Sequence, residues 1–307
     1  MMSRAVFFHV DIDSPKTLLR FWGFRDTDAD LDRFYDIAMN RALGLFKRLG
    51  VPATFFCVGS ELESSVLAKR VIQEAHKAGH EIANHTYTHS TGLAKLTRKA
   101  LSQEIALCSD SIERVIGERP AGFRAPSYEV SNTVLDILKE QGFLYDSSAA
   151  WNSLQPFMKI RHLLFSKNHD GGEFGEGSPS IPQEPYCPSS ADWKKRGGDD
   201  GFLEIPLPRS AVLKLPFYNN FHLMTGDPYR RMSVSRMRQS VLVYLIHLIE
   251  FVDLSDGLPA ELKVHPNLSM DAERKIRFLE QTMRMLMRTY CPARSDQLVK
   301  TLKKSGL

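Results

Sequence analysis

Ala78-Gly79-His80-Glu81-Ile82-Ala83-Asn84-His85-Thr86-Tyr87-Thr88-His89-Ser90 is the stretch around which the rest of the chain is organised. Gly79 closes a helical pattern, Glu81-Ile82-Ala83 is a short strand, and two imidazoles four residues apart follow at once. On a helical turn His85 and His89 would share one face, because side chains at i and i+4 point the same way. Divalent metals favour imidazoles joined by a carboxylate, with a position left for water. Carboxylates come early: the apolar run Val6-Phe7-Phe8-His9-Val10 ends in Asp11-Ile12-Asp13. Taken singly, each signal has a plainer reading. His pairs at this spacing are commonly surface or capping chemistry, and Asp after a strand commonly accepts from free backbone N–H groups of a turn.

The order of the other elements gives these signals weight. Leu31 to Leu49 has helical apolar spacing and stops at Gly50, and Val51 to Gly59 is a strand closed by glycine. Leu67 to Lys77 and Leu96 to Ile116 are helices, Gly122-Phe123-Arg124 is a short strand, and Asn132 to Gln141 is a helix. Phe143-Leu144-Tyr145 is a strand before Asp146. Such alternation predicts an α/β fold with a mostly parallel sheet and right-handed crossovers, either a barrel or a doubly wound sheet. Ligand sites of these folds lie beyond the carboxyl ends of the strands. Asp11, Asp13, His85, His89, Arg124 and Asp146 all fall there.

Between these elements, Lys16 to Asp32 reads as an active-site loop whose Leu18, Leu19, Phe21, Trp22 and Phe24 pack on the barrel rather than touch a membrane. From Trp151 to Gly201 glycines and prolines break all periodicity, as in a long, partly mobile surface insertion. Regular structure resumes at Leu203-Glu204-Ile205-Pro206. Ser233 to Gln239 reads as a helix start, Val241 to Ile246 as a strand ending in His247, and Met270 to Thr289 as a helix. Val299 to Leu302 closes what is expected to be one domain over residues 1–307.

At 307 residues and 43% apolar composition the chain can build a full core. Its net charge of +4 is spread along the chain without a Lys/Arg tract, which excludes a nucleic-acid binder and suits anionic ligands or an anionic membrane surface. Cys57, Cys108, Cys187 and Cys291 form no CxxC pair and read as reduced thiols. A first strand beginning near Ala5 leaves no room for a signal peptide, and no apolar run reaches the ~18 residues of a membrane span. The expectation is a cytoplasmic protein, soluble or peripheral on the inner face of the membrane. Oligomeric state is not legible.

In this order the motifs resemble the polysaccharide deacetylase family, the NodB-homology domain of carbohydrate esterase family 4. The resemblance runs from Ala5 to about Leu302. It rests on His9-Val10-Asp11-Ile12-Asp13, His85-Thr86-Tyr87-Thr88-His89, Arg124-Ala125-Pro126 and Tyr145-Asp146-Ser147-Ser148. Two segments compete for the closing histidine: Leu262-Lys263-Val264-His265-Pro266, and His247 with Glu250 and Asp253 after a continuous apolar strand. His247 is favoured, because catalytic groups belong at strand ends and Ala260 to His265 is the poorer strand.

The resemblance implies a distorted (β/α) barrel. It implies one divalent metal on Asp13, His85 and His89, zinc first, with cobalt, nickel or manganese also accepted by such donors. It makes Asp11 the general base, Arg124 its partner, and the N–H after Pro126 an oxyanion donor. His247 becomes the general acid, with Asp146 tuning it. The implied reaction removes an N-acetyl or N-formyl group from an amino sugar. A cytosolic substrate would be carried on a nucleotide or on polyprenyl phosphate, and the aromatic loop around Trp22 with Leu215, Phe217, Tyr218 and Phe221 suits the lipid-linked form. Two rivals are a metal-free amidohydrolase of cyclic amides or imides and a non-catalytic carbohydrate-binding relative. The former lacks the full Asp-His-His set kept here, and the latter needs neither Asp11 nor His247.

Overall fold

The structure, a computed structural model, describes residues 4–24, 30–90, 92–157, 160, 164, 175, 177–197 and 201–304. Its centre is β1 (Ala5–Asp11), buried along its whole length. After it come α1 (Pro15–Phe21), α2 (Leu31–Leu49), β2 (Thr54–Cys57), α3 (Gly59–Ser64), α4 (Val66–Lys77) and β3 (Glu81–Asn84). Next are α5 (Arg98–Ile116), β4 (Gly122–Phe123), α6 (Asn132–Glu140), β5 (Tyr145–Asp146) and β6 (Leu203–Glu204). The chain closes with α7 (Asn219–Arg236), β7 (Val241–His247), α8 (Ala272–Met287), β8 (Cys291–Pro292) and α9 (Ser295–Lys304). The strands pair in parallel in the order β6-β5-β4-β3-β2-β1-β7 and curl into a distorted (β/α) barrel. On the far side, Tyr218 bridges in parallel to Leu245 of β7.

Residue parity along the strands decides what faces where, because successive side chains alternate across a sheet. Val6, Phe8 and Val10 of β1 join the apolar layer beneath the helices, whereas Ala5 and Phe7 meet Phe56, Ala83, Tyr145 and Leu245 inside the barrel. His9 and Asp11 continue the inner column. Register places Asp11 beside Phe56 and His247, His9 beside Thr54, and Thr54 beside Glu81. A side chain on Gly122 could not be accommodated: its Cβ would lie 2.1 Å from the Tyr145 ring, which fills the interior there.

One flank of β1 is shared. β8 pairs with Ala5 and Val6, and β2 takes over from His9 upward, so the chain after β8 enters the barrel wall just where β2 begins. This brings Ser295, the first residue of α9, against the barrel interior, where it is fully buried.

Three expectations change. Within Lys16–Asp32 the chain forms α1, because Ser14 caps Thr17 N and Pro15 presets the first helical φ. Leu18, Leu19 and Trp22 pack inward as expected, while residues 25–29 lie outside the described residues. Ser233 to Gln239 is not a helix start: α7 ends at Arg236, having crossed a kink at Gly226, whose φ of 76° only glycine adopts readily. Gly226-Asp227-Pro228 reads as a turn, which hid the helix. In the 151–201 insertion, much of the mobile part expected there lies outside the described residues. Residues 177–197 are packed: Ile181, Tyr186 and Trp193 are buried, and Tyr186 pairs with Glu204 to cover the β6 edge.

Candidate active site at the mouth of the barrel

Asp13, His85 and His89 come together beyond the ends of β1 and β3, each offering a ligand atom within 4.8 Å of the others. His89 Nε2 lies 3.0 Å and His85 Nε2 3.6 Å from Asp13 Oδ1. The histidines are not on a helical turn. They sit in a loop with left-handed residues at Thr86 and His89, held by Asn84 Oδ1 accepting from Thr86 N at 2.8 Å and by Glu104 accepting from Thr88 N at 3.0 Å. The Asx turn after the strand, not helical spacing, brings the two rings to a 4.8 Å centroid separation.

These residues fit a metal. His85 Nδ1 lies 2.8 Å from Arg124 O, so that nitrogen carries the proton and donates to the carbonyl, leaving the Nε2 lone pair free to ligate. Asp13 Oδ1 is buried and accepts no hydrogen bond. Burial would raise the Asp13 carboxyl, but the facing His89 and His85 hold it well below the usual carboxylate range. Two imidazoles and a carboxylate are a donor set for a divalent transition ion.

Asp11, two residues earlier, faces the same space with a different partner. Arg124 Nη1 donates to its Oδ1 at 2.6 Å, from a guanidinium that is fully buried. The rest of that guanidinium is fixed by Ser147 O and Oγ, at 2.8 and 2.9 Å, and by the Phe56 ring 4.2 Å beneath Cζ. Asp11 therefore has one direction set by the fold.

His247 ends β7 opposite Asp11 in register and reaches to 3.8 Å from Asp13 Oδ2. Burial alone would lower its pKa, but Glu250, 3.3 Å from Nδ1, together with Asp13 pushes it up to about 9. Glu250 is itself buried and accepts from Asn219 Nδ2 at 2.6 Å. His265 lines the same cavity at the end of a 3-10 turn, and burial, with His247 nearby, pushes it down to about 4.

Asp146 is not where tuning of His247 requires it. Tyr145 points into the barrel, so Asp146, one residue on, faces the opposite side of the sheet. There it accepts from Ser148 Oγ at 2.6 Å and pairs with Glu204, and burial raises both carboxyls. Glu250 takes the place expected of Asp146. The sequence pattern His247-x-x-Glu250 held that signal, but the Asn219 contact to Glu250 comes from 31 residues earlier in the chain.

The cavity between these groups is about 310 Å³. Its floor is Asp11, Asp13 and the histidines, and its walls are apolar, with Leu18, Phe21, Trp22, Phe221 and Met224 among them. Ser127 and Tyr128, at φ of 52° and 62°, turn the backbone after Pro126 along one side.

Residues 31–145 match the polysaccharide deacetylase family, a stretch that holds His85, His89 and Arg124 but neither Asp11, Asp13 nor His247. Peptidoglycan deacetylase of Helicobacter pylori is 28% identical over 207 residues, 66% of this chain and 64% of that protein. A chitin deacetylase of Arthroderma benhamiae is 31% identical over 99 residues, 32% of this chain and 26% of that protein. The chain thus spans less than two thirds of the length of these curated relatives. Among solved structures, a Mycobacterium smegmatis protein assigned as a polysaccharide deacetylase has the same fold, with a TM-score of 0.61 and 18% identity over 99% of this chain and 91% of that one. A family 4 carbohydrate esterase pseudoenzyme of Bacillus anthracis follows, with a TM-score of 0.51 and 11% identity over 97% of this chain and 66% of that one. Residues 31–145 thus carry a polysaccharide deacetylase match, set in a chain whose fold is that of the Mycobacterium smegmatis structure.

Proposed function

We propose that this protein hydrolyses the N-acyl amide of an amino sugar, releasing acetate or formate and a free amine. The observation that carries this reading is convergence on one cavity of a clamped carboxylate, an open carboxylate–imidazole cluster and an imidazole poised to hold a proton. A divalent ion held by Asp13, His85 and His89, zinc being the first expectation, supplies Lewis acidity and a bound water of lowered pKa.

Asp11, aimed by Arg124, takes a proton from the attacking water as its oxygen bonds to the acyl carbon. The Ser127 N–H, in the turn after Pro126 that lines the cavity, would donate to the developing oxyanion. His247 holds its proton at neutral pH, with Glu250 fixing Nδ1, and gives it up from Nε2 to the departing nitrogen as the C–N bond breaks. His265, pushed down to about 4, has no proton to give at that pH. The complete set of groups supports catalysis over carbohydrate binding alone.

The apolar walls favour a sugar carried on polyprenyl phosphate over one on a nucleotide. Exposed Phe157 and Met224, which line the cavity, suit peripheral contact with a membrane. Four free cysteines suit a reducing compartment, hence its cytoplasmic face. The test is release of acetate and free amine by metal-loaded protein from an N-acetylglucosamine oligosaccharide, UDP-N-acetylglucosamine and polyprenyl-phosphate N-acetylglucosamine, with the N-formyl counterparts in parallel. Turnover of the lipid-linked form above the others is expected, and no amine from any of them would sink the proposal.

A further inference from the structure

Beneath Asp11 the inner column of β1 continues to His9, a fully buried histidine that the reaction above does not use. Arg124 Nη2 lies 2.7 Å from His9 Nδ1. A guanidinium can only donate, so that nitrogen must be a bare acceptor and the imidazole must be neutral, with its proton on Nε2. The proton has a partner there: Ser295 Oγ lies 2.7 Å from Nε2 and accepts it. The ring is also boxed by Phe56, edge-on at 5.1 Å, and by Phe7, parallel at 5.9 Å. Burial, and Arg124 after it, push His9 well below the ordinary histidine value, in keeping with the tautomer the hydrogen bonds require. The other tautomer would set N–H against N–H in a dry interior, leaving two buried donors unpaired.

We infer that His9 is a positioning residue of the deacylation: Arg124 fixes its tautomer, Ser295, from the first turn of α9, holds the Nε2 proton and with it the ring, and the imidazole in turn orients the Arg124 guanidinium that aims Asp11. The linkage runs from α9 to the mouth through three buried side chains, with contacts of 2.7, 2.7 and 2.6 Å. It rests on the reading of Asp11 as the base, and the experiment separates the two.

The direct measurement is histidine nitrogen-15 NMR. His9 should show an unprotonated Nδ1 and a protonated Nε2 from pH 5 to 9, in the parent and in Ser295→Ala alike, because Arg124 alone forbids the other tautomer. A His9 that titrates in that range, or carries its proton on Nδ1, would overturn the inference. In kinetics on the fastest of the sugars tested above, His9→Leu should lower kcat about 10–100-fold, the usual loss when a supporting residue is removed, with KM and metal content unchanged. His9→Asn, whose Oδ1 can occupy the acceptor position, should recover most of the loss. Rates equal to the parent's in His9→Leu, or no recovery in His9→Asn, would refute the role. Should His9→Leu fail to fold, Ser295→Ala decides through kcat: a fall with KM and metal content unchanged is expected, and an unchanged kcat refutes the role. If Asp11→Asn keeps turnover, the base assignment falls, whereas an inactive Asp11→Asn beside a normal His9→Leu removes only the positioning role.

Discussion

The mouth and the floor of this barrel both bury carboxylates, and they treat them in opposite ways. On the floor, Glu81 accepts from Thr54 Oγ1 and Tyr145 OH, both at 2.8 Å, and from Asp296 N at 3.2 Å. At the mouth, Asp13 Oδ1 is equally buried and accepts nothing, although two imidazole nitrogens approach it. An unsatisfied buried polar atom costs about 1–3 kcal/mol, so a fold that leaves one among potential ligands has kept it for something other than stability. Glu81 and Asp13 thus differ in hydrogen-bond satisfaction rather than in burial.

The comparison breaks most sharply at Asp13. Asp13→Ala, His85→Ala and His89→Ala should each abolish turnover and lower metal from one ion per chain to near none, with the fold kept. Elemental analysis checks this, and variants as metal-rich as the parent would mean that the open oxygen is not a ligand. Asp11→Asn should divide the two mouth acids: it keeps the metal yet loses turnover by about 10²–10⁴ or more, because an amide cannot take a proton from water at neutral pH. Near-normal kcat in that variant would place the base elsewhere.

His247→Ala should lower kcat by ~10²–10⁴ with metal and fold intact, while His265→Ala stays within a few-fold. Activated esters, whose leaving groups need no proton, should restore much of the rate to His247→Ala and none to a variant damaged in metal binding. The reverse ranking of the two histidines would exchange their roles.

The smallest effect belongs to the floor. Burial, with the charge of Asp296 adding to it, raises Glu81 above its ordinary 4.5 to about 7. The folded chain therefore holds a proton that the unfolded chain releases more readily. The stability this contributes is full below about pH 4.5 and is lost as pH rises through about 7. Denaturant titrations should show that fall in the parent and a flatter profile in Glu81→Gln, with turnover little changed. A fall of equal depth in both would put the titrating group elsewhere.

Much of this was legible in sequence because it depends on short-range rules. Alternating strands and helices, the stop at Gly50 and the strand leading to His247 follow from periodicity and breakers, and residues at strand ends gather by topology alone. Parity was legible too, yet unused: counting from Tyr145 turns Asp146 away from His247, and counting from Asp11 puts His9 in the same column. The Ser14-Pro15 signal for α1 was likewise present. What no local rule supplies is the meeting of elements distant in sequence, such as Asn219 with Glu250 or Ser295 with His9.

That last pair, 286 residues apart, has a consequence for how the molecule is made. A ribosome delivers β1 first, and until β8 and α9 emerge the lower half of one β1 flank has no strand beside it. Pairings this distant in sequence form slowly, since chain closure must precede the contacts that reward it. A nascent chain that has already assembled its histidine loop therefore waits with an open β1 edge, the state in which a chaperone or a premature stop codon would find it.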